Sequence, residues 1–278
     1  MSALAIMTNA GALRSQSNLA RTSRNMNQTI GRLSSGLRVQ SAADDAAGLA
    51  VSENMRGQLK GFEQALRNSN DGVSILQTAE SAYQSISDTL IRMRELAVEA
   101  ANDSLGDTER GFLDTEFQDL ITEITRISDV TEFNGIQLLN GTAGSAGTMT
   151  FQVGTRNTVN DRITVTLTDQ DATNLGIDAS AVDTIGGAQT SIDDIDQALE
   201  SLNTDRADLG ATINSLRVSV DNLGTTIENY GASVGIIRDA DVGAESANFA
   251  KHQVLQQAGV AMLAQANTLP TLAMRLLG

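Results

Sequence analysis

The chain has 278 residues, a formal charge of −15, no cysteine, no tryptophan and only 6 Phe and 2 Tyr. Aromatic anchors of a globular core are therefore scarce, and disulfides, thiolate nucleophiles and zinc–thiolate sites are excluded. The acidity argues against general nucleic-acid binding, but it is unevenly spread: residues 1–43 hold five arginines and no acid, leaving −20 on the rest.

Taken in chain order, residues 1–40 repeat Leu19, Met26 and Leu33 at sevens, with Ile30 and Leu37 as a second row. That is a heptad seam, weakened by small and polar residues at other positions. Residues 41–57, with Asp44-Asp45 inside Ser41–Gly48, break the heptad and predict a spacer or short helix. A long helix follows from about Gln58 to Asn102. Phe62, Leu66, Val73, Leu76, Tyr83 and Leu90 mark one stripe, and Ala79, Ile86, Met93 and Ala100 mark another. Two stripes require two neighbours. After the Gly106-Asp107 turn, Leu113, Phe117, Leu120, Ile124 and Ile127 predict a shorter helix.

Residues 133–185 change character. Asn134-Gly135, Asn140-Gly141 and Gly144 punctuate turns, residues 150–153 read as a strand, and Ile163, Val165 and Leu167 alternate with threonines. Period two is the mark of a half-buried strand. From Ile192 to Ile237 apolar residues then recur at steps of three and four, interrupted only by Arg206. At 1.5 Å per residue this stretch makes a rod of roughly 70 Å, which needs a second long helix as partner. The C-terminal seam, Leu255, Gly259, Met262, Ala266, Leu269, Ala273 and Leu276, mirrors the N-terminal one. Lone helices of this kind are marginal in water. Both are read as disordered in a monomer and ordered by pairing with each other or with neighbouring copies.

The expected fold is mainly α: a long antiparallel α-helical coiled-coil bundle with a small β-hairpin region at the tip. Its expected divisions are an N-terminal arm (1–40), two halves of a helical core (41–140 and 190–238), a short variable β region (141–189) and a C-terminal arm (239–278). No membrane span is expected: the longest apolar run near the C-terminus, Ala258–Ala264, is far short of the roughly 20 residues required. The Ser2–Met7 patch has no preceding Lys or Arg, so no standard secretion signal is read.

Catalytic chemistry finds little support. His252, the sole histidine, has no second histidine or cysteine beside it and reads as a solvated helix residue. Asp44-Asp45, Asp193-Asp194 and Asp239/Asp241 are the acidic pairs that could bind a cation or act as acid and base; the last two are assigned structural roles, with Asp193-Asp194 placed in a first helical turn after Ser191. Asp169-Gln170-Asp171 lacks the glycine and terminal glutamate of a calcium loop. No phosphate-binding glycine motif is present. The expectation is no enzyme, no cofactor and no metal. The thin basic N-terminal patch is read as pairing with acidic surfaces of neighbouring copies.

Several motifs resemble one family. Leu33-Ser34-Ser35-Gly36-Leu37-Arg38 followed by Ser41–Gly48 is similar to the N-terminal hallmark of bacterial flagellins. So are Arg67–Gly72, Arg94-Glu95-Leu96-Ala97 and Phe133-Asn134-Gly135. At the other end Asp239-Ala240-Asp241, Gln256-Gln257-Ala258-Gly259, Leu263–Asn267 and Pro270 resemble its C-terminal motif. Val242-Gly243 departs from the usual aromatic-Ala pair. The resemblance implies a secreted, extracellular filament subunit for motility, exported unfolded by the flagellar type III apparatus, with terminal helices in an inner tube. The alternative it allows is a hook–filament junction protein. It further implies partners: other copies, a secretion chaperone, cap and hook-junction proteins, and the host flagellin-sensing Toll-like receptor. Receptor recognition maps onto Arg92, Leu96 and Glu116, which serve axial packing on the bland reading. The assembly seams are Leu19, Met26, Ile30, Leu33, Leu37, Leu255, Met262, Leu269 and Leu276.

Overall fold

The computed structural model describes residues 9–276, with side chains through Thr268. Five helices carry the chain: α1 (Ala10–Ser35), α2 (Ala46–Ala100), α3 (Asp107–Val130), α4 (Ile185–Arg238) and α5 (Val242–Leu276). Between α3 and α4 lie two antiparallel hairpins, β1 (Glu132–Phe133) with β2 (Ile136–Gln137) and β3 (Thr148–Gln152) with β4 (Arg162–Thr166). The chain forms two compact units, residues 58–228 and residues 1–57 with 229–278.

The central unit holds the core. One face of α2, from Leu76 through Tyr83, Ile86, Leu90 and Met93 to Ala100, is buried against α3 and α4. α3 contributes Phe117, Ile121 and Ile124; α4 contributes Ile195, Leu202, Leu209, Ile213 and Leu216. These are the stripes the heptad spacing predicts. Arg206, the one break in the seam, reaches across to α2. Its Nε and Nη2 donate to Glu80 Oε1 at 3.1 and 2.8 Å, and Nη2 donates to Gln84 Oε1 at 2.8 Å. A charged group at a seam position is thus carried to the rim instead of being buried unpaired.

The β region is not where the sequence places it. α3 runs back along α2, so its last turns lie beside Thr78, Ser81 and Ser85 of α2. That return of roughly 36 Å at 1.5 Å per residue lays the larger hairpin along the side of α2, not beyond its end near Ala100. Phe151 of β3 packs on Gly72, where an added Cβ would sit 3.0 Å from the Phe151 ring, so a larger residue would push the ring back by a few tenths of an ångström. Asn68 Nδ2 donates to the Gln152 carbonyl at 3.1 Å, and Gly61 adjoins Thr155. The strand register pairs Met149 with Val165 and Phe151 with Ile163, as the alternation requires.

Two helix starts also move. α2 begins at Ala46, twelve residues ahead of the expected start, with Asp45 bonding its first turn and Asp44 fixing the turn before it. Asp45 Oδ1 accepts the Gly48 N–H at 2.8 Å, while Asp44 Oδ2 accepts the Ser41 N–H and hydroxyl, both at 3.1 Å. These bonds, the Ser41 hydroxyl first, hold the Asp44 carboxyl below its usual range. α4 begins at Ile185, with Thr184 Oγ1 accepting the Gly187 N–H at 3.1 Å. Asp193 and Asp194 therefore lie well inside the helix, and Asp194 accepts the Ser180 hydroxyl at 2.9 Å.

A polar network closes the core beside the β region. Thr168 Oγ1 donates to Asp205 at 2.5 Å, and Gln170 Nε2 donates to both at 2.6 and 2.7 Å. Tyr83 sits against it, and burial pushes its phenol up to about 12. Folding keeps this phenol neutral, so its contribution is intact below about pH 10, the unfolded value, and is lost as pH rises toward 12. Tyr83→Phe is expected to reduce the fall in urea midpoint between about pH 10 and 12; an unchanged alkaline slope contradicts the assignment.

Leu216→Asp places an unpaired carboxylate in the seam, and a loss of about 3–5 kcal/mol is expected. Denaturant unfolding followed by circular dichroism measures it; wild-type stability would show that this seam is not the core.

Candidate assembly surfaces

The unit formed by residues 1–57 and 229–278 is built on α1 and α5, which pair antiparallel. Asn9 Nδ2 donates to the Ala266 carbonyl at 2.8 Å, Leu19 meets Gly259, and Arg32 Nη1 bonds Glu245 Oε1 at 3.0 Å. At the closed end Leu37 bridges Asp239, the Arg38 N–H donates to the Arg238 carbonyl at 2.7 Å, and the Ala240 N–H donates to the Gly36 carbonyl at 2.9 Å. Arg238 also bonds Glu53 in the first turns of α2.

On α1 the covered row is Ala12, Ser15, Leu19, Thr22, Met26, Thr29 and Leu33, in steps of three and four. It contains three of the predicted seam residues, whereas Ile30 is 44% exposed. On α5 the covered row is Glu245, Phe249, His252, Gln256, Gly259, Leu263 and Ala266. It shares Gly259 and Ala266 with the predicted row but turns Leu255 and Met262 outward, 45% and 63% exposed. His252 and Gln256 occupy heptad positions, so a search for apolar residues passes over this row; the even spacing from Phe249 through Leu263 was the available signal. His252 is accordingly half-buried with its Nδ1 out of reach of solvent, not a solvated residue. Leu269 and Leu276 lie outside the described side chains.

The pairing needs a small residue. A Cβ at Gly259 would stand 3.1 Å from Leu19 Cδ1. Asp241 Oδ1 starts α5 by accepting the Gly243 and Ala244 N–H groups at 2.8 and 3.1 Å, which gives the Asp239/Asp241 pair its structural task.

A second surface lies on the central unit. Arg92 of α2 donates through Nε and Nη2 to Glu116 Oε1 of α3 at 3.1 and 2.7 Å, and through Nη1 to Glu95 at 3.1 Å. Glu116 first, then Glu95, holds the guanidinium more firmly protonated than usual. Leu96 does not join this surface. It is 1% exposed and belongs to the core. A separation of four residues rotates a helix position by about 40°, enough to carry the side chain from the exposed edge occupied by Arg92 onto the buried stripe. Ile91 and Val98 are the exposed apolar side chains nearby. Among the described residues no group of three His, Cys, Asp or Glu is placed to hold a metal, and no helix is long and apolar enough to cross a membrane.

Terminal helices that pair along one row and leave apolar side chains bare define a protein organised around helix packing. Comparison with known proteins gives the family. Residues 6–144 match the bacterial flagellin N-terminal helical region, and residues 192–277 match the bacterial flagellin C-terminal helical region. The chain belongs to the bacterial flagellin family. It is 41% identical to a flagellin of Halalkalibacterium halodurans over 91% of this chain and 93% of that one. It is 38% identical to flagellin FlaB1 of Treponema pallidum, covering 94% and 95%. Its structure resembles the crystal structure of Bacillus cereus flagellin, with a TM-score of 0.50, 32% identity and coverage of 56% of this chain and 88% of that one.

Gly259→Leu is expected to force α1 and α5 apart while the central unit keeps its stability. Hydrogen exchange should show lost protection confined to α1 and α5; full protection in both helices would mean the pairing tolerates bulk at this position.

Proposed function

We propose that this flagellin is a non-enzymatic subunit of the bacterial flagellar filament whose arms, residues 1–40 and 239–278, join it to other copies. The supporting observation is the state of the predicted seams. Within one chain α1 and α5 cover only one row on each other, and Ile30, Leu255 and Met262 remain exposed. Apolar rows of this kind gain about 25 cal/mol for each Å² that a neighbouring helix covers. Reversible helix packing between copies is the activity that follows. The core divisions 41–140 and 190–238 supply a stable bundle, and the short 141–189 region stays folded on it.

Partners follow from the same surfaces. A secretion chaperone covers Val254, Leu255 and Met262 before export by the flagellar type III route, since a bare apolar face invites premature association. Cap and hook-junction proteins meet the same arms at the filament ends. Arg92 and Glu116 form a patch for axial packing between copies and for the host flagellin-sensing Toll-like receptor, with Leu96 supporting it from the core. The filament lies outside the cell. The hook–filament junction reading is the weaker one, because the relatives that match nearly the whole chain are flagellins.

Deleting residues 1–20 or 255–278 is expected to abolish polymerisation in sedimentation and electron microscopy, while the central unit melts as before by circular dichroism. Normal filaments from either shortened chain would refute the assignment of assembly to the arms.

A further inference from the structure

Sulfur oxidation in this chain falls to methionine, because there is no cysteine. Of the five methionines whose side chains are described, Met93 is buried, Met26, Met55 and Met149 are half-buried, and Met262 alone is exposed, at 63%. Its place gives that exposure a consequence. Met262 stands seven residues after Leu255, which is 45% exposed, so the two share one face of α5. That face lies outside the row covered by α1, which runs through Gln256, Gly259 and Leu263. The thioether is therefore open to solvent in the free subunit, and an arm that has not yet formed its helix exposes it no less.

We propose that Met262 is an oxidation site that gates assembly: a peroxide converts it to the sulfoxide in the free subunit, and the filament then refuses the oxidised chain. The step needs no cofactor. A sulfur lone pair attacks one oxygen of hydrogen peroxide, the S–O bond forms as the O–O bond breaks, and the other oxygen takes the proton and leaves as water. Sulfur gives up two electrons and the peroxide gains them. A thioether is a soft, apolar side chain that fills irregular gaps between helices, whereas the sulfoxide carries a polar acceptor oxygen. Beside Leu255, on a face that an apolar neighbour has to cover, that oxygen is buried without a donor. Once the subunit is in place the same covering shields the thioether, so the modification acts before assembly and not after it. A sulfoxide reductase with a thiol donor reverses it. Because a second copy is what covers this face, the gate rests on the filament reading above.

The test treats the monomeric full-length chain with a mild dose of hydrogen peroxide, maps oxidation by peptide mass spectrometry and follows polymerisation by sedimentation. Met262 is expected to gain one oxygen before Met93 does, and the critical concentration for polymerisation is expected to rise at least about fivefold. Preformed filaments given the same dose should keep Met262 reduced. Met262→Leu, which conserves volume, should polymerise alike before and after peroxide. Oxidised wild-type chain should recover polymerisation after methionine sulfoxide reductase and dithiothreitol, an arm that needs no variant. Polymerisation unchanged by oxidation at Met262, an equal block in Met262→Leu, or no recovery after the reductase overturns the proposal and leaves the filament reading standing. So does oxidation of Met262 in filaments as fast as in free subunits. An untreated wild-type chain that forms no filaments sinks the filament reading itself, and the gate with it.

Discussion

The seam between α2 and α4 is the constraint on which the central unit rests. A helix of 54 residues with an apolar row down one side has no stable form until a second helix covers that row. Ile195, Leu202, Leu209, Ile213, Leu216 and Leu223 are all buried, each adding about 1.5–3 kcal/mol of burial. The Arg206–Glu80 pair at the same seam is partly exposed and is worth at most about 1 kcal/mol. Burial therefore decides stability. The ion pair, together with Arg94 and Asp196 at 2.7 Å, contributes register: a slip of one turn leaves both arginines facing the wrong neighbours.

The arm is built to a different specification. Among the described residues α1 fully buries only Thr29 and α5 only Glu245, against nine buried residues on α4. Half of its contact row is Ala, Ser, Thr, Gly and Gln, and most of the larger side chains in it stay partly exposed, so the pairing of α1 with α5 stabilises each helix modestly. An interface that is modest within one chain can be exchanged for, or extended by, an interface with another chain. This is what a polymer subunit requires of its ends, and it accounts for apolar side chains left on the outside in a protein whose core is otherwise well covered.

Much of this was legible because helix packing writes itself into spacing. The α2 stripes, the α4 seam, the Ile163–Leu167 strand and three of the α1 contacts follow from periods of 3.5 and 2 that survive in one dimension. What was missed depends on three-dimensional information. Asp44 and Asp45 read as a break because capping acids and loop acids look alike until their hydrogen bonds are seen. The hairpin's place along α2 depends on the direction in which α3 returns, and Gly72, though it ends the Arg67–Gly72 motif, carries no spacing that points to Phe151. Leu96 was grouped with Arg92 by a spacing of four, yet the border of the buried stripe runs between them. The α5 row was displaced because polar His252 and Gln256 hold seam positions, which an apolar search cannot find.

The ends of the arm helices show how an exchangeable interface keeps its shape. Asn9 caps α1 by accepting the Ala12 N–H at 3.0 Å, and Gly36, at φ +72°, closes it with its own N–H on the Arg32 carbonyl at 2.9 Å. Asp241 opens α5 in the same local manner. These caps satisfy terminal backbone groups without help from the α1–α5 seam. Losing seam contacts leaves these end signals in place but exposes helices that are marginal alone, so a new neighbour restores their order as it covers the row. Capping by short polar side chains and sealing by a thin apolar row are thus separate tasks, and only the second is left for another molecule to complete.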